Sequence, residues 1–443
     1  MIIIVAVGLY IGIFFLKTWS DFWFDDDATL FAFVSGVKNP LAFFLSKKVI
    51  AEAGFSFTPM QMLSYWIDLK MFGTNPVGAY LHSTCVFILT AAMLFAVLRS
   101  LVDVGFSLFV TLAWMFLPST IVVVEFIGAR HYMEGMLLTL CAIFCCFQYL
   151  KTSRVDRQLC FLALAFACLF MAMLNKEVYV TSGLLCVFLF FIWHKKYSGG
   201  FTVVLLGVVY ACYRVWALGL ASKYPVPATD GAAYIKFLSQ LPFIFSGNHL
   251  GYLLLGGTAV CAAMLAIQRR FPYRIGAIFI LIVVVTCLTI FPGSLYLSNE
   301  WQNRGTWYRL PFVLNLVLLI GGCLLVRRGN HRLSILMAVI LMSSMIYGAI
   351  LTRSQWNGLK DRYAVTGRFY IANRDKLVYS EVPAYWYLGG LKELYHLDHP
   401  FILSTSLKPS TLAPVARVTE IWRYRSGKMV SDVKLWNDLN KKI

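Results

Sequence analysis

Charge is scarce in this sequence. Only 14% of its 443 residues are Asp, Glu, Lys or Arg, against roughly a quarter in a soluble domain, which excludes an ordinary water-soluble enzyme. Cysteines at metal-ligand spacing are also lacking. Most of the eleven Cys, among them Cys85, Cys141, Cys145, Cys146, Cys160, Cys168 and Cys186, fall inside apolar runs, and none lies in the polar tail after residue 352. In such runs Cys behaves as a small hydrophobe, so neither a disulfide nor a structural metal is expected. There is no P-loop, no dinucleotide-binding glycine pattern, no zinc-binding helix and no nucleophile elbow. Chemistry built on a nucleotide, a cofactor or a covalent serine is therefore not indicated. Internal repeats and low-complexity segments are missing too.

What the chain has instead is apolar surface. Hydrophobic residues make up 59% of it and the mean hydropathy is +0.71, more than a soluble core uses, so the excess points to lipid. The formal charge of +18 comes from basic residues that flank apolar runs. That placement suits cytoplasmic loops and contact with lipid or substrate phosphates. It does not suit nucleic acid, which calls for a basic patch on a soluble face.

About 20 apolar residues cross the bilayer core as a helix. About eleven runs qualify: 1–19, 78–98, 103–119, 132–150, 158–174, 178–194, 200–220, 249–267, 275–292, 309–326 and 333–351. The first has no basic flank before it and no small-residue cleavage site after it, so it is expected to be retained as a helix. Every even-numbered run through the tenth ends in a basic loop: Arg99, then Lys151, Arg154 and Arg157, then Lys195 and Lys196, then Arg269, Arg270 and Arg274, then Arg327, Arg328 and Arg332. The positive-inside rule puts these loops in the cytoplasm. The opposite loops, 20–77, 118–131, 175–177, 221–248 and 293–308, are then extracytoplasmic, with the tail. The expected fold class is an all-α polytopic membrane protein, residues 1–351, with amphipathic stretches such as Pro40 to Ile50 at the interface. A small extracytoplasmic α/β domain, residues 352–443, follows. That tail carries 15 Lys and Arg against 8 Asp and Glu, a balance suited to covering a cavity or holding an acceptor.

The densest polar signal is Phe24-Asp25-Asp26-Asp27-Ala28-Thr29-Leu30. Three adjacent carboxylates past a membrane helix are costly to desolvate. They suit either a solvated loop or a general base that takes a proton from an acceptor hydroxyl or amine, with a second carboxylate tuning or orienting it. Three more polar segments share the extracytoplasmic side. Glu125-Phe126-Ile127-Gly128-Ala129-Arg130-His131 is followed by Glu134. Asn175-Lys176-Glu177 joins two spans. Asn299-Glu300-Trp301-Gln302-Asn303-Arg304 is followed by Trp307, Tyr308 and Arg309. Arg130 and Glu134 equally fit an i, i+4 ion pair, Lys176 and Glu177 fit interface anchors, and Arg304 and Arg309 fit a snorkelling aromatic belt. The sharper reading gives Arg130, Lys176, Arg304 and Arg309 to a phosphate, which the planar guanidinium holds by paired hydrogen bonds. Glu125, His131, Glu177 and Glu300 are then neighbouring candidates.

These segments resemble, in order, those of the GT-C superfamily, the polytopic glycosyltransferases that use polyprenyl-phosphate sugars. The likeness is nearest to the protein O-mannosyltransferases and their TPR-bearing relatives. Phe24 to Leu30 looks like the aromatic-Asp-Asp motif after the first helix. Phe57-Thr58-Pro59-Met60 looks like the family's RPL segment and Phe72-Gly73-Thr74-Asn75-Pro76 like its FG-x-NP turn. Pro118 through Arg130 looks like the stretch between its third and fourth helices, Asn175-Lys176-Glu177 like Ser-Lys-Glu, and Arg304 to Pro311 like its late Arg-Tyr segment. Thr58 stands for the family's Arg, His82-Ser83 falls where its His-x-x-Asn would be, Tyr132 replaces its Asp, and the tail has no TPR pattern. The resemblance implies transfer of a hexose or pentose to a protein, lipid or glycan acceptor at the outer face of a bacterial inner membrane, without a cofactor or divalent metal. Asp25 or Asp26 would be the base, with Asp27 allowed by the register. A lipid-sugar flippase or a non-catalytic assembly subunit is the alternative.

Overall fold

The computed structural model describes residues 22–24, 26–53, 57–219, 235, 239, 245–246, 249–251, 256, 280–287, 309, 311–327, 331–373, 377–380, 385–397, 401–403, 421–425 and 428–432. The runs 1–19 and 249–267 and part of 275–292 lie largely or wholly outside them.

After the first expected span the chain makes α1 (Asp27–Ser35), two short helices, α2 (Ala42–Leu45) and α3 (Lys47–Glu52), and α4 (Pro59–Phe72). The amphipathic stretch is thus helical, with Leu41 and Leu45 exposed. Asn75 then accepts the Val77 N–H at 3.0 Å as an N-cap, with Pro76 in the first turn, where a missing N–H costs nothing. This starts α5 (Pro76–Arg99).

The run at 103–119 is not one straight span. Asp103 caps α6 (Val104–Met115) by accepting the Phe106 N–H at 2.9 Å. Pro118 then opens α7 (Pro118–Glu125), bent 60° from α6. Proline disfavours helical backbone at the residue before it, and Leu117 is accordingly extended. The supposed loop 118–131 is therefore α7 and a 3-10 turn at Ile127–Ala129, wholly buried.

The apolar helices α8 (Arg130–Lys151), α9 (Val155–Asn175), α10 (Val178–Trp193) and α11 (Tyr197–Leu218) follow as antiparallel neighbours. Among the described residues four helices, α5, the 3-10 turn with α8, α9 and α11, are long and apolar enough to cross a membrane, five if the bent pair counts as one. α11 leaves Phe201, Val204, Leu205 and Val208 exposed. A face like this needs lipid, which tolerates helices because their backbone groups are satisfied internally. The chain is a multi-pass integral membrane protein.

α12 (Phe312–Arg327) precedes α13 (His331–Ala372). The run expected to end at residue 351 continues through the proposed domain border. At 1.5 Å per residue, 42 residues make about 63 Å, twice the hydrocarbon core. Hydropathy marks only the apolar part of such a helix. Past residue 351 its buried face is Trp356, Lys360, Tyr363, Thr366 and Tyr370, which no window of apolar residues would detect. The tail adds β1 (Leu377–Ser380), α14 (Tyr385–Leu394), β2 (Phe401–Leu403), β3 (Ile421–Arg425) and β4 (Lys428–Ser431). The sheet order is β2-β1-β3-β4, parallel on both sides of β1, with β3 and β4 antiparallel. α14 is the crossover between the parallel pair β1 and β2, and it packs on α1. Gly390 makes that contact possible: a Cβ there would lie 2.5 Å from Thr29 Oγ1.

Candidate functional site: a buried turn that gathers the first loop

The 3-10 turn between α7 and α8 is the point where the polar segments meet. Its backbone is held from two sides. From α4, the Tyr65 hydroxyl donates to the Ile127 carbonyl at 2.8 Å and Gln61 Nε2 donates to the Gly128 carbonyl at 3.1 Å. Burial pushes the Tyr65 phenol well above its ordinary range, so it stays a donor. From the first loop, Asp27 Oδ1 accepts the Gly128 N–H at 2.6 Å, and its Oδ2 accepts the Phe24 N–H at 3.2 Å.

Those two bonds resolve the triplet. Asp27 is fully buried and both of its carboxylate oxygens accept backbone N–H groups. Asp26 is only partly buried, and its Oδ1 lies over the turn: a Cβ on Gly128 would sit 2.7 Å from it. Glycine is required there by the closeness of the approach. Asp25, Glu300 and Arg304 lie outside the described residues.

The cations sort differently from expectation. Arg130 is enclosed by partners from two helices. It is fully buried, with Nη1 donating to Asp68 Oδ2 at 2.5 Å, Nη2 donating to Ser64 Oγ at 2.9 Å and Nε 3.1 Å from Glu134 Oε1. Its planar group covers the Tyr65 ring at 5.0 Å. Ser64 in turn donates to Glu134 at 2.5 Å, and His82 Nδ1 lies 2.6 Å from Asp68 Oδ1. The i, i+4 pair, one of the two readings of Arg130, is therefore present, and α4 supplies a second carboxylate. Burying a guanidinium demands such partners. Glu125, also fully buried, lies 3.5 Å from Arg353 of α13 and belongs to the packing of α7.

Lys176, Arg309 and His131 remain. Lys176 leaves α9 in extended conformation, half-buried, 5.5 Å above the Tyr132 ring and 3.6 Å from Glu177. Glu177 also accepts the Phe57 N–H at 3.0 Å, so the Asn-Lys-Glu corner fastens the start of α4. Arg309 is partly buried 4.8 Å over the Phe126 ring, directly before the turn. His131 is buried in the first turn of α8. Two partly exposed cations thus converge on the same turn as Asp26. Such a set can hold a dianion such as phosphate.

The sequence reading missed Asp68, Ser64, Arg353 and Lys360. Asp68 stands alone in an ordinary amphipathic helix, and only the likeness of the His82 region to a family motif hinted at its neighbourhood.

No known protein family matches this sequence, and no curated protein matches it. Solved structures do. One is the crystal structure of ArnT from Cupriavidus metallidurans in the apo state, at 14% identity over 97% of both chains, with a TM-score of 0.52. The fold is similar to that of ArnT. ArnT from the same organism bound to undecaprenyl phosphate also matches, at 13% identity over 97% of both chains, with a TM-score of 0.47. The likeness to apo ArnT covers 97% of this chain, the membrane part and the tail alike.

Proposed function

We propose that this chain is a membrane glycosyltransferase that moves a hexose or pentose from a polyprenyl-phosphate carrier to a protein, lipid or glycan acceptor at the extracytoplasmic face. The observation that carries this reading is the Phe126–His131 turn. The Asp26 carboxylate lies over Gly128 of this turn, Arg309 stands over Phe126 at its start, and Lys176 stands over Tyr132 just past its end. The GT-C fold shared with ArnT supports it.

In this mechanism the acceptor oxygen or nitrogen attacks the anomeric carbon while an Asp26 oxygen takes its proton. The bond from the anomeric carbon to the phosphate oxygen breaks, and that electron pair leaves with the polyprenyl phosphate. Lys176 and Arg309 stabilise the charge that grows on the leaving phosphate. The step uses no cofactor and no metal. Asp25 shares the motif and is the second candidate base.

The test is release of undecaprenyl phosphate from undecaprenyl-phosphate hexoses and pentoses by membranes containing the full chain. Asp26→Asn is expected to cut release by about 10²- to 10⁴-fold with folding intact. Lys176→Ala and Arg309→Ala are each expected to weaken binding of undecaprenyl phosphate by about 10- to 100-fold, as loss of a charge-assisted bond does. Full release by Asp26→Asn together with Asp25→Asn, or unchanged binding in both cation variants, defeats the proposal.

A further inference from the structure

Lys360 is buried, with 3% of its surface exposed. Lysine is almost never enclosed to that degree without an anion beside it. Its place on α13 puts it beside the first loop. Trp356, Lys360 and Tyr363 are spaced i, i+4 and i+7 and so share one face. The Trp356 and Tyr363 rings lie 4.8 Å and 4.7 Å from the Phe24 ring, and Arg368 stands over Phe22 at 5.6 Å. The face therefore runs along the segment that leads into the Asp triplet. Lys360 itself sits in the middle, its Nζ 4.6 Å over the Tyr80 ring, and the Tyr80 hydroxyl donates to the Phe22 carbonyl at 3.0 Å.

Three buried carboxylates among the described residues have partners of their own. Glu125 faces Arg353, two turns earlier on α13. Asp68 binds Arg130 and His82. Asp27 binds two backbone N–H groups. Asp361 follows Lys360 in the chain and is exposed.

We infer that Lys360 is a positioning residue for the transfer proposed above: its ammonium holds the Phe22–Phe24 segment in register with the Gly128 turn and keeps the base carboxylate aimed. The inference rests on that reading of the site. It assigns α13, a helix of the chain's C-terminal third, a part in setting up the catalytic loop. An ammonium in this position needs no contact with the substrate. Its effect passes through the loop.

The experiment compares wild type, Lys360→Met and Lys360→Arg as full chains in detergent, with Lys360→Gln replacing the Met variant if that does not fold. Two quantities are read: amide hydrogen exchange over residues 22–30, and steady-state release of undecaprenyl phosphate from the active undecaprenyl-phosphate sugar. Lys360→Met is expected to speed exchange in that segment by about 10-fold or more, because it removes an anchor against local opening. It should lower kcat by about 10²-fold with KM for the donor nearly unchanged. Lys360→Arg, which keeps the charge, should recover most of both. Exchange at the wild-type rate in the neutral variant overturns the inference, as does a raised KM at constant kcat, or an Arg variant no better than Met. Should wild type release no undecaprenyl phosphate from any sugar donor, the glycosyltransferase reading falls, while the exchange comparison still decides whether Lys360 holds the loop.

Discussion

The indole N–H of Trp23 donates to the hydroxyl of Tyr395, 3.1 Å away and 372 residues later in the chain. The same hydroxyl donates to the Thr74 carbonyl at 3.0 Å. One phenol thus joins the start of the first loop, the turn before α5 and the end of α14. Tyr395→Phe removes both bonds and leaves a buried indole donor unsatisfied. It should cost about 1–3 kcal/mol of stability, read as a lower midpoint in thermal unfolding, and should speed exchange around Trp23. An unchanged midpoint would show that the tail grips the loop by other contacts.

Asp27→Asn separates the structural carboxylate from the base. An amide offers one acceptor oxygen where the carboxylate offers two, so either the Gly128 or the Phe24 N–H loses its partner. The expected loss is about 1–3 kcal/mol with turnover reduced but measurable, whereas Asp26→Asn should keep the stability and lose the turnover. Chemical denaturation and sugar-transfer assays on the two variants side by side check this. The reverse assignment of effects would move the base to Asp27.

Arg130→Met should act on folding and not on donor affinity. It strands Asp68 and Glu134, and breaking a buried ion pair from one side costs about 3–5 kcal/mol. Undecaprenyl phosphate binding, measured on whatever fraction folds, should match wild type. A well-folded Arg130→Met chain with weakened binding would return Arg130 to the phosphate site.

Gly128→Ala places a methyl group 2.7 Å from Asp26 Oδ1, closer than carbon and oxygen tolerate. The carboxylate must shift, and misplacement of a catalytic group by about 1 Å costs on the order of 10²-fold in rate. The same methyl group meets the Phe126 ring at 2.8 Å, over which Arg309 stands, so a smaller loss of donor binding accompanies the loss of rate. Wild-type kcat in Gly128→Ala would mean that Asp26 does not work from this position.

Much of the membrane part was legible in the sequence. The runs near 78–98, 132–150, 158–174, 178–194 and 200–220 became α5 and α8 to α11, with ends displaced by a few residues. Asn75-Pro76 marked the start of α5 because a cap and a first-turn proline act locally. The break in the 103–119 run was also signalled, by Pro118, although hydropathy runs through it undisturbed. The long reach of α13 was not signalled, because its second half is held by Trp356 and Tyr363 against Phe24 of the first loop.

By itself the sequence determined that the chain enters a membrane and where most of its apolar helices lie. Transfer to lipid depends on the length and composition of one segment, so it can be summed along the chain. Only the tertiary structure decided what each charge does. Asp27 became a backbone anchor, Arg130 the centre of an ion cluster with Asp68, and Lys360 a buried neighbour of the loop. A charge is satisfied by whichever partner folding brings within a few ångströms, and the interaction falls off steeply with distance and exposure, so partners 60 to 300 residues apart leave no mark in local sequence.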